Sequence, residues 1–398
     1  MTANTDTLIG RITEVRENIM IAELTLMDGD DFPMVTAGGH EMAVGQLGTY
    51  IMVKQRGIEV VTMVIGAGQE YAVNAGGVRG GMTLVPLGEL DENRSFHRGV
   101  IHYPTPGAEV HVIQLDEIDV LFKKFQSTGF ELGFLPSIPS LGVCLNPTAM
   151  FGRHAAILGQ SGAGKSWSVA SILQRTVKVM PKAHVILLDL HGEYVWKEED
   201  REHSAFPEGT YRYLDARNLE IPYWLLTYGE LVDLLIDRDD SKSSTQMAFL
   251  REVLLMLRRK ANKDMEDAHI SIDSPVYFSL AELFQQFKRA NEQVTDFGKV
   301  KGPLYGQFDE FLIKLHGRFN DVRYDFLFKP KRRKSSETLG DLLREFVGLV
   351  EPRRQITVID FSSVPFDVRP TVSAQIGRLA FEFNYWNPRS REFPILLT

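Results

Sequence analysis

Gly159-Gln160-Ser161-Gly162-Ala163-Gly164-Lys165-Ser166 is the stretch on which the fold of this chain turns. It follows a short apolar run, His154-Ala155-Ala156-Ile157-Leu158, and precedes Trp167 to Thr176, whose pattern reads as a helix. Strand, glycine-rich turn, then Lys-Ser opening a helix is the context that gives this spacing a chemical meaning. Glycines carry no Cβ, so the loop can wrap with its N–H groups turned inward toward phosphate oxygens. The helix N-terminus adds its partial positive charge at the same point. Gly159, Gln160, Ser161, Gly162, Ala163 and Gly164 then form the cradle. Lys165 reaches the β- and γ-phosphates, and the Ser166 hydroxyl ligates Mg²⁺. The stretch predicts a nucleoside-triphosphate site, with ATP and Mg²⁺ as its ligands.

Downstream, Ala183-His184-Val185-Ile186-Leu187-Leu188-Asp189 is an uninterrupted apolar run of strand length ending in an acid. Such runs are typical of parallel strands buried on both faces. Strand, helix and strand at this spacing form a βαβ unit, which implies a parallel sheet and a right-handed crossover. Ligands in such sheets lie at the carboxyl ends of the strands. That places Asp189 and the following Leu190-His191-Gly192-Glu193-Tyr194 near the phosphates.

Hydrolysis needs an acid that helps hold Mg²⁺ and a carboxylate that aligns or activates water. Three strands are candidates to supply it. The first ends at Asp189 and carries Glu193 four residues on; the second ends at Asp360 and continues Phe361-Ser362-Ser363 without a second acid. The third, Phe393 to Leu397, meets the end of the chain at Thr398 before any acid. Asp189 and Glu193 are the better-placed pair, although a strand-end aspartate also commonly caps a turn. His191 is a candidate nucleotide contact or, equally, a histidine that is merely hydrogen-bonded after a strand.

The flanking regions differ in character. From Leu8 to Val112 short apolar or alternating runs recur: Leu8 to Val15, Ile19 to Leu26, Gly48 to Val53, Ile58 to Ile65 and Ala108 to Ile113. Turn-formers separate them, among them Asp28-Gly29-Asp30-Asp31, Gly38-Gly39, Arg56-Gly57, Gly76-Gly77 and Gly80-Gly81. This predicts a small β-barrel over residues 1–112. Residues 113–150 read as a connection, with a short helix over Ile118 to Phe125 and a Gly- and Pro-rich stretch from Gly129 to Gly142. Residues 151–398 read as an α/β core that is incomplete at its C-terminus and carries a helical insertion over about 221–350. In that insertion Leu231, Leu234 and Leu235 share a face, as do Met247, Leu250, Val253, Leu254 and Leu257. Ser279 caps a helix over Ala281 to Phe287. The basic run Lys329-Pro330-Lys331-Arg332-Arg333-Lys334 reads first as a solvated loop and second as a contact for nucleic-acid backbone or a partner. The sheet resumes at Gln355 to Asp360, before a helix from about Thr371 to Trp386.

Composition narrows the setting. The 398 residues are 44% hydrophobic and 24% charged, ordinary for a globular protein with room for two or three cores. The single cysteine, Cys144, excludes an internal disulfide. The N-terminal residues have no basic or apolar signal segment, and no apolar run approaches a membrane span. A cytoplasmic, soluble protein is the expectation. A net charge of −8 argues against a surface basic all over, yet a ring can concentrate basic residues in its pore.

Taken in order, these segments resemble the HerA-type DNA translocases of bacteria and archaea, related to FtsK-like motor ATPases. The resemblance rests on an N-terminal barrel like that family's HAS barrel, then Arg153-His154, the phosphate loop, and Asp189-Leu190-His191-Gly192-Glu193-Tyr194. Ile221-Pro222-Tyr223-Trp224, Asp321-Val322-Arg323-Tyr324 and Val358-Ile359-Asp360-Phe361-Ser362 are similar to family segments as well. The phosphate loop is shared with many families, whereas the His-Gly-Glu-Tyr segment at this distance is far more specific. The resemblance implies a RecA-like ATPase in a homohexameric ring that hydrolyses ATP to move double-stranded DNA, working with a nuclease or other effector in end processing or antiviral defence. It makes Arg153 a candidate phosphate contact. In the family a strand like Phe393 to Leu397 is followed by the Walker B acids and an arginine finger, so a fragment of a longer protein is expected here. Complete as it stands, the chain would bind nucleotide with little turnover. A nucleotide-binding ring scaffold that recruits an effector is the alternative function; a small-molecule kinase is disfavoured because no acceptor pocket is apparent.

Overall fold

The computed structural model describes residues 7–24, 34–37, 40–72, 77–127, 129–135, 138–199, 201–295, 300–387 and 394–398. It divides into two compact units, Met1–Ala155 and Ala156–Thr398.

Alternation builds the first unit. In β1 (Leu8–Arg16) and β2 (Ile19–Leu24) every second residue of β2, namely Met20, Ala22 and Leu24, is buried. That is the period of a strand with one wet face. A short pair, β3 (Met34–Ala37) with β4 (His40–Ala43), precedes β5 (Tyr50–Gln55), β6 (Ile58–Ala72), β7 (Gly77–Leu90), β8 (Phe96–Arg98) and β9 (Glu109–Val112). The order β2-β1-β9-β5-β6-β7, with β7 pairing back onto β2, closes a six-stranded barrel, and β8 adds to β7. Ile9, Ile12, Ile51, Val53, Val60, Val64, Leu84 and Val110 fill it. Gly80 and Gly81, expected as a turn, lie inside β7 instead. Gly81 pairs with both Glu23 and Gly68, and register shifts in β6 at Val61/Thr62 and Val64/Gly66 bend this long hairpin around the barrel. The turns expected at 28–31 and 38–39 lie outside the described residues.

The segment read as a connection is folded. It holds α1 (Leu115–Gln126), an antiparallel hairpin of β10 (Glu131–Leu135) and β11 (Ile138–Cys144), and the one-turn α2 (Pro147–Phe151). Met52 and Val61 face outward from the barrel and are covered by Ile113, Ile118 and Leu141. This explains why β5 is apolar at three successive positions, Ile51, Met52 and Val53: it is buried on both faces.

In the second unit, α3 (Lys165–Val179) leads into β12 (His184–Asp189), the hairpin β13 (Val195–Glu198) and β14 (Arg201–Ser204), and β15 (Tyr211–Leu214). A helical block follows, made of α4 (Tyr228–Leu235), α5 (Ser243–Ala261), α6 (Leu280–Asn291), the small pair β16 (Val294–Thr295) and β17 (Val300–Lys301), α7 (Asp309–Asn320), α8 (Asp325–Phe328) and α9 (Leu339–Phe346). The chain then returns through β18 (Ile356–Asp360), α10 (Arg369–Trp386) and β19 (Ile395–Leu397). The sheet order is β15-β18-β12-β19, all parallel. On one face Val185, Leu187, Ile356 and Val358 pack against Ala170 and Leu173 of α3. On the other, Ile186 and Ile359 join Val372, Ile376 and Leu379 of α10 and the helical block. Continuous apolar strands are the consequence of this two-sided burial.

The run His154 to Leu158 turns out differently from its expected strand. It pairs with no strand among the described residues, and Ile157 and Leu158 are 40% and 90% exposed. Both edges of β12 are already occupied, by β18 and β19, so the run has no ladder position beside it and forms no βαβ unit with β12.

The basic run is anchored to the fold through its backbone and Arg333, while Lys331, Arg332 and Lys334 stay exposed as in a solvated loop. Glu220 accepts the backbone N–H groups of Lys331, Arg332 and Arg333 at 3.2, 3.0 and 3.2 Å. Glu345 pairs with Arg332 and Arg333 at 3.1 and 3.0 Å, and Arg333 is buried. Lys329 pairs with Asp325 at 2.8 Å. Deeper in the block Arg258 is wholly buried; its guanidinium donates to the carbonyls of Ile272 and Leu226 and lies 5.6 Å from the Phe278 ring. Burial pushes its pKa down to about 10. Among the described residues no helix is long and apolar enough to cross a membrane.

Candidate nucleotide-binding site

The phosphate loop owes its shape to two left-handed positions, Gly162 at φ 79° and Gly164 at φ 83°. A side chain at Gly164 would be strained by the backbone alone, since nothing crowds its Cβ position. Gly164 is also the N-cap of α3 and offers no side chain to its first turn, so the leading amides of the helix keep their donors for another acceptor. The loop is open to solvent from Gly159 to Ala163. Lys165 Nζ donates to the carbonyl of Gln160 at 2.8 Å, which folds the cation over its own loop.

The loop after β12 faces this cradle. Ser166 Oγ donates to Glu193 Oε2 at 2.5 Å. Asp189 is 2% exposed and its carboxylate is consumed locally. Oδ1 accepts the N–H groups of His191, Gly192 and Glu193 at 3.3, 2.9 and 3.0 Å, and Oδ2 that of Tyr194 at 3.0 Å. Asp189 therefore shapes the loop that carries Glu193, whereas the Glu193 side chain reaches the cradle. Gly192 sits at φ 71°, with Ser362 Oγ and Asp360 Oδ1 at 3.5 and 3.8 Å from where its Cβ would be. His191 is exposed and lines the same cleft.

Contacts from the neighbouring strand and from α10 back this loop. Asp360 is the register partner of Asp189 on the adjacent strand. It accepts the Tyr213 hydroxyl at 2.5 Å and the Ser362 N–H at 2.7 Å. Burial, and then the Asp360 carboxylate, push the Tyr213 phenol strongly upward, so it stays a donor. The Tyr194 phenol is likewise raised by burial and by the Asp189 charge. Arg369 donates to the carbonyls of Ser362 at 3.0 Å and Leu190 at 3.4 Å, tying the loops after β18 and β12 together. Tyr213 and Arg369 have no motif around them in the sequence; only the chain's return through β15 and α10 brings them here.

Ser161, Gly162, Gly164, Lys165, Ser166, His191, Gly192 and Glu193 line one cleft of about 830 Å³, joined by Trp167, Ala170, Tyr194, Trp196 and Ala205. That volume suits a ligand of nucleotide size. The uncapped amides, the Lys165 amine and the left-handed glycines fit a triphosphate. For a divalent cation the chain offers the Ser166 hydroxyl and the Glu193 carboxylate; among the described residues no cluster of three or more metal-binding side chains exists. A Mg²⁺ bound mainly through phosphate oxygens and water, with one or two protein oxygens, matches that donor set. Arg153 is exposed and belongs to the first unit.

A glycine-rich loop opening a helix over the carboxyl ends of a parallel sheet defines the class: a P-loop nucleotide-binding protein. The model of the HerA helicase central domain matches residues 130–379, well over half of the chain. The chain belongs to the HerA helicase family. It is 23% identical over 267 residues to the probable helicase MJ1565 of Methanocaldococcus jannaschii, covering 64% of this chain and 48% of that protein. It is 25% identical over 224 residues to the DNA double-strand break repair helicase HerA of Sulfolobus acidocaldarius, covering 55% of this chain and 39% of that protein. With the HerA of Pyrococcus furiosus the identity is 36% over 77 residues, 19% of this chain and 14% of that protein. The chain thus spans about half, or less, of the length of these curated relatives.

Proposed function

We propose that this chain is the ATP-binding core of a ring-shaped motor that moves double-stranded DNA. The observation that carries this reading is the approach of Glu193 to Ser166 at the mouth of the phosphate loop, in a chain of the HerA family. The P-loop amides and Lys165 bind the triphosphate, with the Lys165 amine exchanging the Gln160 carbonyl for phosphate oxygens. Bound Mg²⁺ would supply neutralisation of phosphate charge. The Ser166 hydroxyl would help hold the cation, and the Glu193 carboxylate beside it orients water or accepts its proton. Asp189, Gly192 and Arg369 act by holding the loop on which Glu193 rides. His191, which lines the cleft, is a further contact to the nucleotide. A homohexamer in the cytoplasm, acting with a nuclease or defence effector, is the assembly this reading favours.

A second reading has an observation of its own. Four loop amides occupy the Asp189 carboxylate, which leaves Glu193 as the acid free to serve chemistry beside the cradle among the described residues. With one such acid, a scaffold that binds nucleotide and turns it over slowly is the alternative. ATP hydrolysis measured with and without duplex DNA separates the two. A motor shows DNA-stimulated turnover that Glu193→Gln lowers at least about 100-fold while ATP still binds, and that Lys165→Ala abolishes together with binding. Turnover indifferent to both DNA and Glu193→Gln would sink the motor reading.

A further inference from the structure

The cleft extends beyond its phosphate end. Past Lys165 and Ser166 its wall is Trp167, Ala170, Tyr194, Trp196 and Ala205. Of its three aromatic rings one is packed into the fold and two are exposed. Tyr194 is 9% exposed and stacks on Phe206, with centroids 6.0 Å apart and planes 8° from parallel. Trp167, next after Ser166 on the first turn of α3, is 73% exposed. Trp196, on β13, is 37% exposed, and His203 stacks against it at 6.0 Å and 19°, which orients the indole without burying it. Exposed indoles converging on one cleft are unusual for a surface with no ligand, because each leaves a large apolar area in water.

Ser161, Lys165, Ser166, His191 and Glu193 come from the glycine-rich loop, the start of α3 and the loop after β12, and the Tyr194 phenol bonds to Ser166. The aromatic end has π-faces and two alanines. The side-chain amide of Gln174 donates to the Ala205 carbonyl there and is engaged by the backbone.

We propose that Trp167 and Trp196 form a stacking site for the nucleobase of the bound nucleoside triphosphate. It takes the base by its π-face and leaves the base edge unread. This rests on the reading of Gly159 to Ser166 as a triphosphate cradle, and it adds a substrate class: nucleoside triphosphates with weak discrimination among their bases. Stacking is sequence-tolerant because every base has a π-face.

The test is calorimetric titration of the full chain with ATP, GTP and inorganic tripolyphosphate, each with Mg²⁺. Trp167→Ala and Trp196→Ala should each weaken ATP and GTP about tenfold. Tripolyphosphate affinity should stay within about twofold of the parent, and Trp196→Phe should restore most of the loss. The parent should prefer ATP over GTP by less than about tenfold. Variants that leave ATP affinity intact, or that weaken tripolyphosphate as much as ATP, overturn the stacking site. So does strong ATP-over-GTP preference in the parent. A cradle that itself fails is recognised separately: the parent then binds neither ATP nor tripolyphosphate, and both readings fall together.

Discussion

Asp189 and Glu193 stand four residues apart and have opposite fates. Both fit the sequence description of an acid near the phosphates. In the fold Asp189 is 2% exposed and surrounded by four N–H donors, while Glu193 is exposed and touches Ser166. A carboxylate that accepts several amides fixes the backbone around it, as a cap does at a helix end. Asp189→Asn should therefore cost about 1–3 kcal/mol of stability, because one acceptor oxygen is replaced by an NH₂ that faces the Tyr194 N–H. Urea denaturation reads that loss, and the slackened loop should also lower ATP turnover. Unchanged stability would mean that the four hydrogen bonds do not hold the loop.

Segments that composition marks as a linker or a solvated loop are here tied to the packing by particular side chains. The basic run from Lys329 to Lys334 is held by Glu220 and Glu345, more than a hundred and about a dozen positions from Arg332 respectively. The Gly- and Pro-rich stretch after Gly129 forms the β10–β11 hairpin, because Leu141 covers a patch of barrel exterior at Met52 and Val61. Alongside it, α1 is anchored by Glu117, which is buried and bonded to Arg94 at 3.0 Å, Lys54 at 3.3 Å and the Gln114 N–H at 3.0 Å. Burial alone would raise this carboxyl, yet the Gln114 amide, Arg94 and Lys54 together hold it below its ordinary 4.5. A folded pKa below the unfolded one adds stability that is present above the unfolded value and is lost as pH falls through the folded one. Acid titration followed by far-ultraviolet dichroism should show the parent losing this contribution below about pH 4.5, and Glu117→Gln should flatten that part of the profile. An identical acid profile for the two proteins would remove Glu117 as the anchor of α1.

At the scale of the molecule, the phosphate loop, the loop after β12 and the loop after β18 all belong to the second unit, Ala156–Thr398. Nucleotide binding should therefore slow amide exchange first in residues 159–170 and 189–194, with the effect lost in Lys165→Ala; hydrogen-exchange mass spectrometry on the full chain checks this. Protection concentrated in β1 to β9 instead would place the nucleotide elsewhere. The phosphate loop, the buried strands ending at Asp189 and Asp360 and the alternating strands of the barrel were legible in the amino-acid order, because each is a local pattern of glycine spacing or hydrophobic period. Register and partnership were not. Tyr213 meets Asp360 across 147 positions, Arg333 meets Glu345 across 12, and His154 to Leu158 finds the edges of β12 already taken. Trp167 and Trp196 are ordinary apolar letters until the hairpin β13–β14 carries one to the cleft of the other. The sequence by itself determined that a glycine-rich loop opens the first helix of a parallel-sheet domain, and that a barrel precedes this domain in the chain. Only the tertiary structure decided which acid remains available to it and which rings share its cleft, since both depend on contacts between segments far apart along the chain.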